Sequence, residues 1–160
     1  MSVFYDKDEF FMSLALEEAL KAAELGEVPV GAIVVNGGGD VVSLAYNGRE
    51  QSQDPTAHAE MIAIREASAV TGSWRLEGCS LYVTLEPCIM CSGAIVNSRI
   101  KRVIYGCADP KGGAVDSLYK LLGDTRLNHR VEVVSGILET RCSAILKDFF
   151  LALRRGCRAV

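Results

Sequence analysis

Helical and strand-like segments alternate along most of this chain, and this alternation constrains its fold more than any other sequence feature. Two apolar segments, residues 29–35 and 41–46, flank a turn with three consecutive glycines and predict a β-hairpin. After the hairpin, helices and strands follow one another as far as an amphipathic helix at residues 139–153. This order predicts an α/β protein with three layers, α/β/α, around one mixed sheet.

No linker, repeat or low-complexity tract divides the chain, so we expect one domain over residues 1–160. Helical periodicity predicts helices at residues 7–25, 57–69, 87–97, 117–122 and 139–153. Apolar and β-branched runs predict a central sheet of five strands, at residues 29–35, 41–46, 80–85, 102–105 and 131–134. Thr56 is the predicted N-cap of the second helix, and Pro87 suits the first turn of the third.

Composition fits a soluble globular protein, since 49% of the 160 residues are hydrophobic and 23% are charged. The N-terminal residues lack the basic and apolar regions of a signal peptide. Apolar runs are far shorter than the roughly 18 residues that suggest a membrane span. We therefore expect a cytoplasmic protein that does not associate with membranes.

Six cysteines are present, and in a reducing compartment cysteines more often bind metal or lie buried than form disulfides. Cys88 and Cys91 form a C-x-x-C motif. The remaining four are scattered and are expected to behave as small buried hydrophobic residues: Cys79, Cys107, Cys142 and Cys157.

Two short motifs, each at the start of a predicted helix, carry the chemistry that we expect of this chain: His58-Ala59-Glu60 and the C-x-x-C. Cys88 and Cys91 share one helical face in the first turn, where free N–H groups favour thiolates. His58 supplies a third ligand, and one His with two Cys fits a zinc ion whose fourth position stays open for catalysis. Glu60 is expected beside the ion, unligated, as a general base for metal-assisted hydrolysis.

Two other interpretations of these motifs stay open from the residues alone. A C-x-x-C at a strand–helix junction also occurs in thiol–disulfide proteins, and a purely structural zinc site is the other alternative. A structural site normally needs a fourth protein ligand, such as His129 or another cysteine, but nothing in the spacing indicates one. The combination of both motifs in this order favours a catalytic zinc centre.

The formal net charge of −3 does not by itself indicate a nucleic-acid-binding protein. Attraction to RNA would have to come from local basic clusters. Two segments offer them, one with Arg99, Lys101 and Arg102, and one at the C-terminus with Arg154, Arg155 and Arg158.

Beyond the zinc motifs, the sequence resembles the bacterial tRNA-specific adenosine deaminase family, within the superfamily of zinc-dependent cytidine deaminase-like proteins. The resemblance covers most of the chain. It rests on Asn47 and on the segments EVPVGA (27–32), DPTAHAE (54–60), LYVTLEPC (81–88), SRI (98–100), NHRV (128–131) and DFF (148–150).

The resemblance implies a cytidine deaminase-like fold and a homodimer with one Zn²⁺ per subunit. Its partner would be a tRNA anticodon loop, with the wobble adenosine of an arginine tRNA flipped into the zinc pocket. An activated water would attack C6 of adenine, and Glu60 would move the proton to N1 and help ammonia leave, which yields inosine.

The resemblance also implies substrate contacts for several other residues. Asn47 would hydrogen-bond the nucleoside, the Ala59 backbone would touch the base, Pro29 and Val30 would line the pocket, and Asp109 would lie near the ribose. For Asn47 and Asp109, a role in forming a turn is the alternative.

Phe150, in the last helix, is expected to meet the anticodon loop, although a place in the core is the alternative. Members of the family often carry basic residues directly after the Phe-Phe pair. In this chain residues 151–153 are Leu-Ala-Leu, and Arg154 follows only then. The sequence thus leaves open how the C-terminal helix would contact RNA.

Three related functions remain to be weighed against tRNA deamination. A free guanine or cytosine deaminase can share the same zinc motifs. The short cysteine spacing argues against a riboflavin-pathway deaminase, and a non-catalytic tRNA-binding subunit would lack the carboxylate that Glu60 provides. The sequence favours an active tRNA deaminase.

Overall fold

The computed structural model describes residues 2–156, with side chains described from residue 7 onward. The helices are α1 (Ser2–Glu24), α2 (Arg49–Ser52), α3 (Ala59–Thr71), α4 (Ile89–Asn97) and α5 (Glu139–Arg154). The strands are β1 (Gly31–Val35), β2 (Val41–Tyr46), β3 (Ser80–Leu85), β4 (Arg102–Cys107) and β5 (Glu132–Ser135). Cys157 and Arg158 lie outside the described residues.

The five strands form one mixed sheet in the order β2-β1-β3-β4-β5. Strand β1 is antiparallel to β2 and β3, whereas β4 is parallel to both β3 and β5. Parallel neighbours need a crossover, and α4 provides the one between β3 and β4. The predicted three-layer fold around a five-stranded mixed sheet is confirmed.

Side chains of the inner strands alternate between two apolar cores, one on each face of the sheet. Leu81 and Val83 point to the core beneath α3 and α4, and Tyr82 between them points to the core beneath α1 and α5. Both faces of the sheet are therefore covered by helices. This packing leaves the carboxyl ends of β3 and β4 as an edge where a site can form.

The starts of three helices differ from the sequence prediction. Helix α1 begins at Ser2, ahead of residue 7, and α4 begins at Ile89, two residues after Pro87. Helix α3 begins at Ala59, and its N-cap is His58 and not Thr56. The Thr56 hydroxyl instead donates to Asp54 in the preceding turn, at 2.7 Å.

The helix predicted at residues 117–122 is absent from the structure, which has only a 3₁₀ turn at Leu121–Gly123. The N–H of Leu121, which in such a helix would bond to the carbonyl of residue 117, is used elsewhere. The N–H groups of residues 115–117 donate to a buried carboxylate, and Leu121 donates to the carbonyl of Ala114. The polar loop after β2, in contrast, contains the short helix α2.

None of the helices within residues 2–156 combines the length and the apolar character needed to cross a bilayer.

Candidate metal centre and active-site pocket

Two helix N-termini meet at the carboxyl ends of β3 and β4. His58 is the N-cap of α3 and Cys88 is the N-cap of α4, and both have extended backbone conformations. N-cap side chains usually accept a hydrogen bond from the first helical turn, but neither of these does. Both side chains are therefore available to bind an ion at the junction of the two helices.

His58, Cys88 and Cys91 bring one ligand atom each to a common point. The Sγ atoms of Cys88 and Cys91 both lie 3.6 Å from Nδ1 of His58, and all three atoms lie within 4.8 Å of one another. In a tetrahedral zinc site, Zn–S bonds of about 2.3 Å and Zn–N bonds of about 2.0–2.1 Å place S and N about 3.6 Å apart. The three side chains therefore fit a zinc ion.

The side chains of Cys88, Cys91 and His58 change one another's pKa values. A hydrogen bond from the Cys91 thiol lowers the pKa of Cys88 to about 4, and His58 assists. The same contact and burial raise the pKa of Cys91, while the contact with Cys88 raises the pKa of His58. A divalent cation would replace the shared protons, as metal binding to thiols does.

Glu60 lies in the first turn of α3, beside the Cys91 thiol, and only 4% of its surface is exposed. Burial raises the pKa of its carboxyl group to about 7. Among the described residues, no fourth His, Cys, Asp or Glu joins the three ligand atoms. His129, the alternative ligand, instead lies with Nε2 2.7 Å from the carbonyl oxygen of Ile100.

A pocket with about 530 Å³ of empty volume, partly open to solvent, leads to this centre. Four of the residues for which the resemblance implies substrate contacts line the pocket: Asn47, Ala59, Val30 and Asp109. Pro29 is not among its lining residues. The remaining lining residues are Val28, Arg49, His58, Glu60, Leu85, Glu86 and Cys88.

Asn47 is buried in the pocket wall and is held by the backbone. Its Nδ2 donates to the carbonyl of Val28 at 3.1 Å, and its Oδ1 accepts a long contact of 3.4 Å from the N–H of Arg49. Both the turn-forming and the pocket-lining expectations thus describe this residue. Its amide keeps a second N–H and an acceptor lone pair for a ligand.

Glu27 is a structural residue of this rim that sequence reasoning did not single out. Its carboxylate is fully buried and accepts hydrogen bonds from the backbone N–H groups of Glu50 and Gln51, at 3.1 and 2.6 Å. These bonds hold α2 and therefore the neighbouring Arg49. In the sequence, the only signal for this structural role is an acidic residue just before an apolar strand.

A second, larger groove adjoins the pocket and shares four lining residues with it: Val28, Arg49, Leu85 and Asp109. Its far side is α5, including Phe150, whose surface is 44% exposed. Phe150 therefore lies on the groove, although 30 residues or more of chain separate it from every other expected site residue.

The groove also contains basic residues, and one of them, Arg154, comes from one of the two predicted clusters. Arg154 lines it together with Lys147. The other cluster lies at the start of β4, where Arg102 pairs with Asp8 and Arg99 donates to the Val96 carbonyl. That cluster is at the opposite end of β4 from the groove.

Comparisons with known proteins agree with this geometry. The profile of the cytidine and deoxycytidylate deaminase zinc-binding region matches residues 5–107. The tRNA-specific adenosine deaminase of Bacillus subtilis (strain 168) is 51% identical over 153 residues, which is 96% of this chain and 94% of that protein. A solved structure from a study of tRNA:A34 deaminases and wobble A-to-I editing is 46% identical, with a TM-score of 0.82, and covers 86% of this chain and 99% of its own.

A guanine deaminase structure from Bacillus subtilis is also similar, at 40% identity and a TM-score of 0.59, but it covers 62% of this chain and 64% of its own. The fold and the His-Cys-Cys ligand set define a zinc-binding deaminase of the cytidine and deoxycytidylate deaminase class. Relatives that match the chain over most of its length identify the family within this class. The chain belongs to the tRNA-specific adenosine deaminase family.

We predict that Cys88→Ala loses bound zinc, because it removes one of three ligands. Cys79→Ala is the matched control, since Cys79 is a buried free thiol outside the centre. Zinc content measured by elemental analysis after dialysis should fall well below one equivalent in Cys88→Ala and stay at the wild-type level in Cys79→Ala. Equal zinc content in the two variants would show that the ligand set is wrong.

Proposed function

We propose that this chain, acting as one domain, converts adenosine to inosine at the wobble position of a tRNA, with an arginine tRNA as substrate. The observation that carries the proposal is a three-ligand metal centre beside a buried, unligated carboxylate, in a pocket that opens into a groove with basic and aromatic side chains. Relatives that match more than 90% of this chain at about half identity are named tRNA-specific adenosine deaminases.

His58, Cys88 and Cys91 would hold one Zn²⁺ per subunit. When bound, the ion supplies Lewis-acid activation of a water molecule. With two thiolates and one imidazole the centre has no net formal charge, so it acidifies water less than an all-histidine site would. A base beside the centre is therefore needed.

Glu60 is the residue that we assign to proton transfer. Three carboxylates line the pocket, and those of Glu86 and Asp109 accept hydrogen bonds from the backbone of residues 111–117. Glu60 instead lies beside Cys91, next to the metal centre. It would take a proton from water, deliver it to N1 of adenine, and later help the C6 amino group leave as ammonia.

The base itself would be bound by the inner wall of the pocket. Asn47 offers its remaining N–H and acceptor lone pair to the nucleoside, and the backbone of Ala59 and the side chain of Val30 contact the base. Asp109, at the junction of pocket and groove, would contact the ribose of a flipped nucleotide.

The groove along α5 suits the nucleotides on either side of the flipped base. Residues 143, 146, 147, 150, 153 and 154 line it, a helical spacing that puts one face of α5 on the groove. Arg154 therefore shares a face with Phe150, four residues before it, and the Leu-Ala-Leu insertion does not remove positive charge from this face. Exposed aromatic and basic side chains are the contacts that single-stranded RNA loops use.

Two further features are proposed with this function. Because tRNA is a cytoplasmic substrate, we propose a cytoplasmic location. We also propose a homodimer, as in the family the sequence resembles. Exposed apolar side chains next to the metal centre, Ile89 and Leu118, are available for such an interface.

The direct test is to incubate the purified, zinc-loaded protein with total bacterial tRNA and to sequence for inosine at position 34. Guanine, cytosine and adenosine are offered in parallel, with ammonia release as the readout. Inosine at the wobble position of arginine tRNA is the expected result. Deamination of a free base without tRNA editing would support the guanine or cytosine deaminase alternative instead.

We predict that Glu60→Gln retains zinc and the wild-type melting temperature but loses turnover by a factor of about 10²–10⁴ or more, because general acid–base catalysis contributes about that much. Glu18→Gln is the control, since Glu18 is a buried glutamate paired with Lys21 on α1. Single-turnover rates on tRNA measure the effect. Activity of Glu60→Gln comparable to that of Glu18→Gln would exclude the proton-transfer role.

We predict that Lys147→Gln weakens tRNA binding and reduces the slope of log Kd against log salt concentration by about 1, as the loss of one phosphate contact does. The control is Lys101→Gln, because Lys101 precedes β4 and lies roughly 20 Å from the groove end of that strand. Filter binding at several salt concentrations measures both. Equal slopes for the two variants would show that α5 does not face the RNA.

A further inference from the structure

Glu86 is a buried acidic residue in the pocket wall that the proposed chemistry does not use. It follows β3 and immediately precedes Pro87 and Cys88, and only 2% of its surface is exposed. Its backbone N–H donates to the carbonyl of Cys107 at 2.9 Å, which ties it to the end of β4. A carboxylate in such a place needs hydrogen-bond donors, because an unpaired buried charge is strongly destabilising.

All the donors to this carboxylate come from one segment, residues 115–117. The Ser117 hydroxyl donates to Oε1 at 2.6 Å. The backbone N–H groups of Val115, Asp116 and Ser117 all point to Oε2, at 3.4, 3.4 and 3.2 Å. An ionised carboxylate has about four acceptor positions, so these contacts leave little capacity for a substrate or a metal ion.

The two residues that precede this segment contact the residues that follow β3, including the metal ligand Cys88. Ala114 donates its N–H to the carbonyl of Pro87 at 2.8 Å, and Gly113 pairs with Cys88 as an isolated antiparallel bridge. A Cβ atom at Gly113 would lie 1.8 Å from Oε2 of Glu86, so only glycine allows this approach. The carboxylate and the backbone thus hold residues 113–117 against Cys88.

Asp109 begins the loop that leads to residues 113–117. Its carbonyl accepts the N–H of Gly113 at 2.9 Å, and its Oδ1 accepts the N–H groups of Lys111 and Gly112, both at 3.1 Å. The loop from Asp109 to Gly113 is therefore closed on itself, and it is attached through the bridge between Gly113 and Cys88, through the segment that Glu86 holds and through the end of β4. Asp109 lines both the pocket and the groove.

We propose that Glu86 is a positioning residue for substrate binding: through residues 113–117 it holds Asp109 at the junction of pocket and groove. This inference rests on the proposed function, because it gives Asp109 a contact with the nucleotide. Glu86 is not one of the three ligand residues, and residues 115–117 occupy its carboxylate. Its removal should therefore impair KM for tRNA more than kcat.

The test variant is Glu86→Gln, which keeps the size of the side chain but turns an amide NH₂ group toward backbone N–H donors. We expect KM for tRNA to rise roughly 10- to 100-fold, the equivalent of one or two lost charge-assisted hydrogen bonds, with a smaller fall in kcat and unchanged zinc content. Ser117→Ala, which removes one donor, should shift KM in the same direction by less and serves if Glu86→Gln folds poorly.

A double mutant separates positioning from general destabilisation. In an Asp109→Asn background, adding Glu86→Gln should change KM little, because the residue through which it acts is already altered, while the loss in melting temperature should persist. Asp8→Asn is the matched control. Asp8 is also a buried carboxylate, held by Tyr82 and Arg102 on the other face of the sheet, and its loss should lower the melting temperature without changing KM.

Hydrogen exchange separates this inference from the proposed function, since it needs no substrate. The amides of residues 115–117 should exchange faster in Glu86→Gln than in the wild type, and not in Asp8→Asn. If these amides exchange faster but the protein edits no tRNA, the role of Glu86 in holding residues 115–117 is supported. The proposed function is then refuted. Unchanged exchange, KM effects that add to those of Asp109→Asn, or zinc loss in Glu86→Gln would each overturn the positioning role.

Discussion

The structure depends on one convergence: the N-termini of α3 and α4 meet at the carboxyl ends of two parallel strands. Each helix presents its N-cap side chain to the same point, and the first turn of α4 adds Cys91. The partial positive charge of a helix N-terminus favours thiolates, which a cation then neutralises. Because only three protein ligand atoms converge there among the residues that the structure describes, the arrangement is suited to chemistry at an open fourth position.

Other buried residues of the site hold the segments that surround the metal centre. Glu27 holds the loop that carries Arg49, and Glu86 holds the loop that follows β4. Both carboxylates are buried and both accept mainly backbone N–H groups: Glu27 satisfies donors in the short helix α2, and Glu86 satisfies donors in the irregular segment at residues 115–117. The two charged residues at the junction of pocket and groove, Arg49 and Asp109, are thereby attached to the rigid sheet, which is the preorganisation that binding a flipped nucleotide requires.

Much of this was accessible from sequence, because the decisive signals are local. Helical and strand periodicity predicted the sheet, and the two motifs predicted which side chains meet at the helix starts. What could not be predicted depends on tertiary contacts. The helix expected at residues 117–122 gives way because the N–H of Leu121, which would bond within it, donates to Ala114 instead, and no pattern in the sequence reveals this. His58 replaces Thr56 as N-cap for a similar reason, since Asp54 engages the threonine.

The position of the groove could not be predicted from the sequence either. Periodicity predicted α5, but only the structure shows that its face with Lys147, Phe150 and Arg154 borders the pocket, whereas the cluster around Arg102 lies at the far end of β4. A protein with a net charge of −3 can in this way present positive charge where an RNA loop would enter. Local placement, and not total charge, is the physical basis of the proposed specificity.

The central claim is that three protein ligands and one exchangeable position surround the ion, and X-ray absorption at the zinc K-edge of the purified protein tests it most directly. The account predicts two sulfur neighbours at about 2.3 Å and two lighter neighbours at about 2.0–2.1 Å, with the scattering pattern of a single imidazole. A third sulfur or a second imidazole would mean a closed site of four protein ligands, and would contradict it.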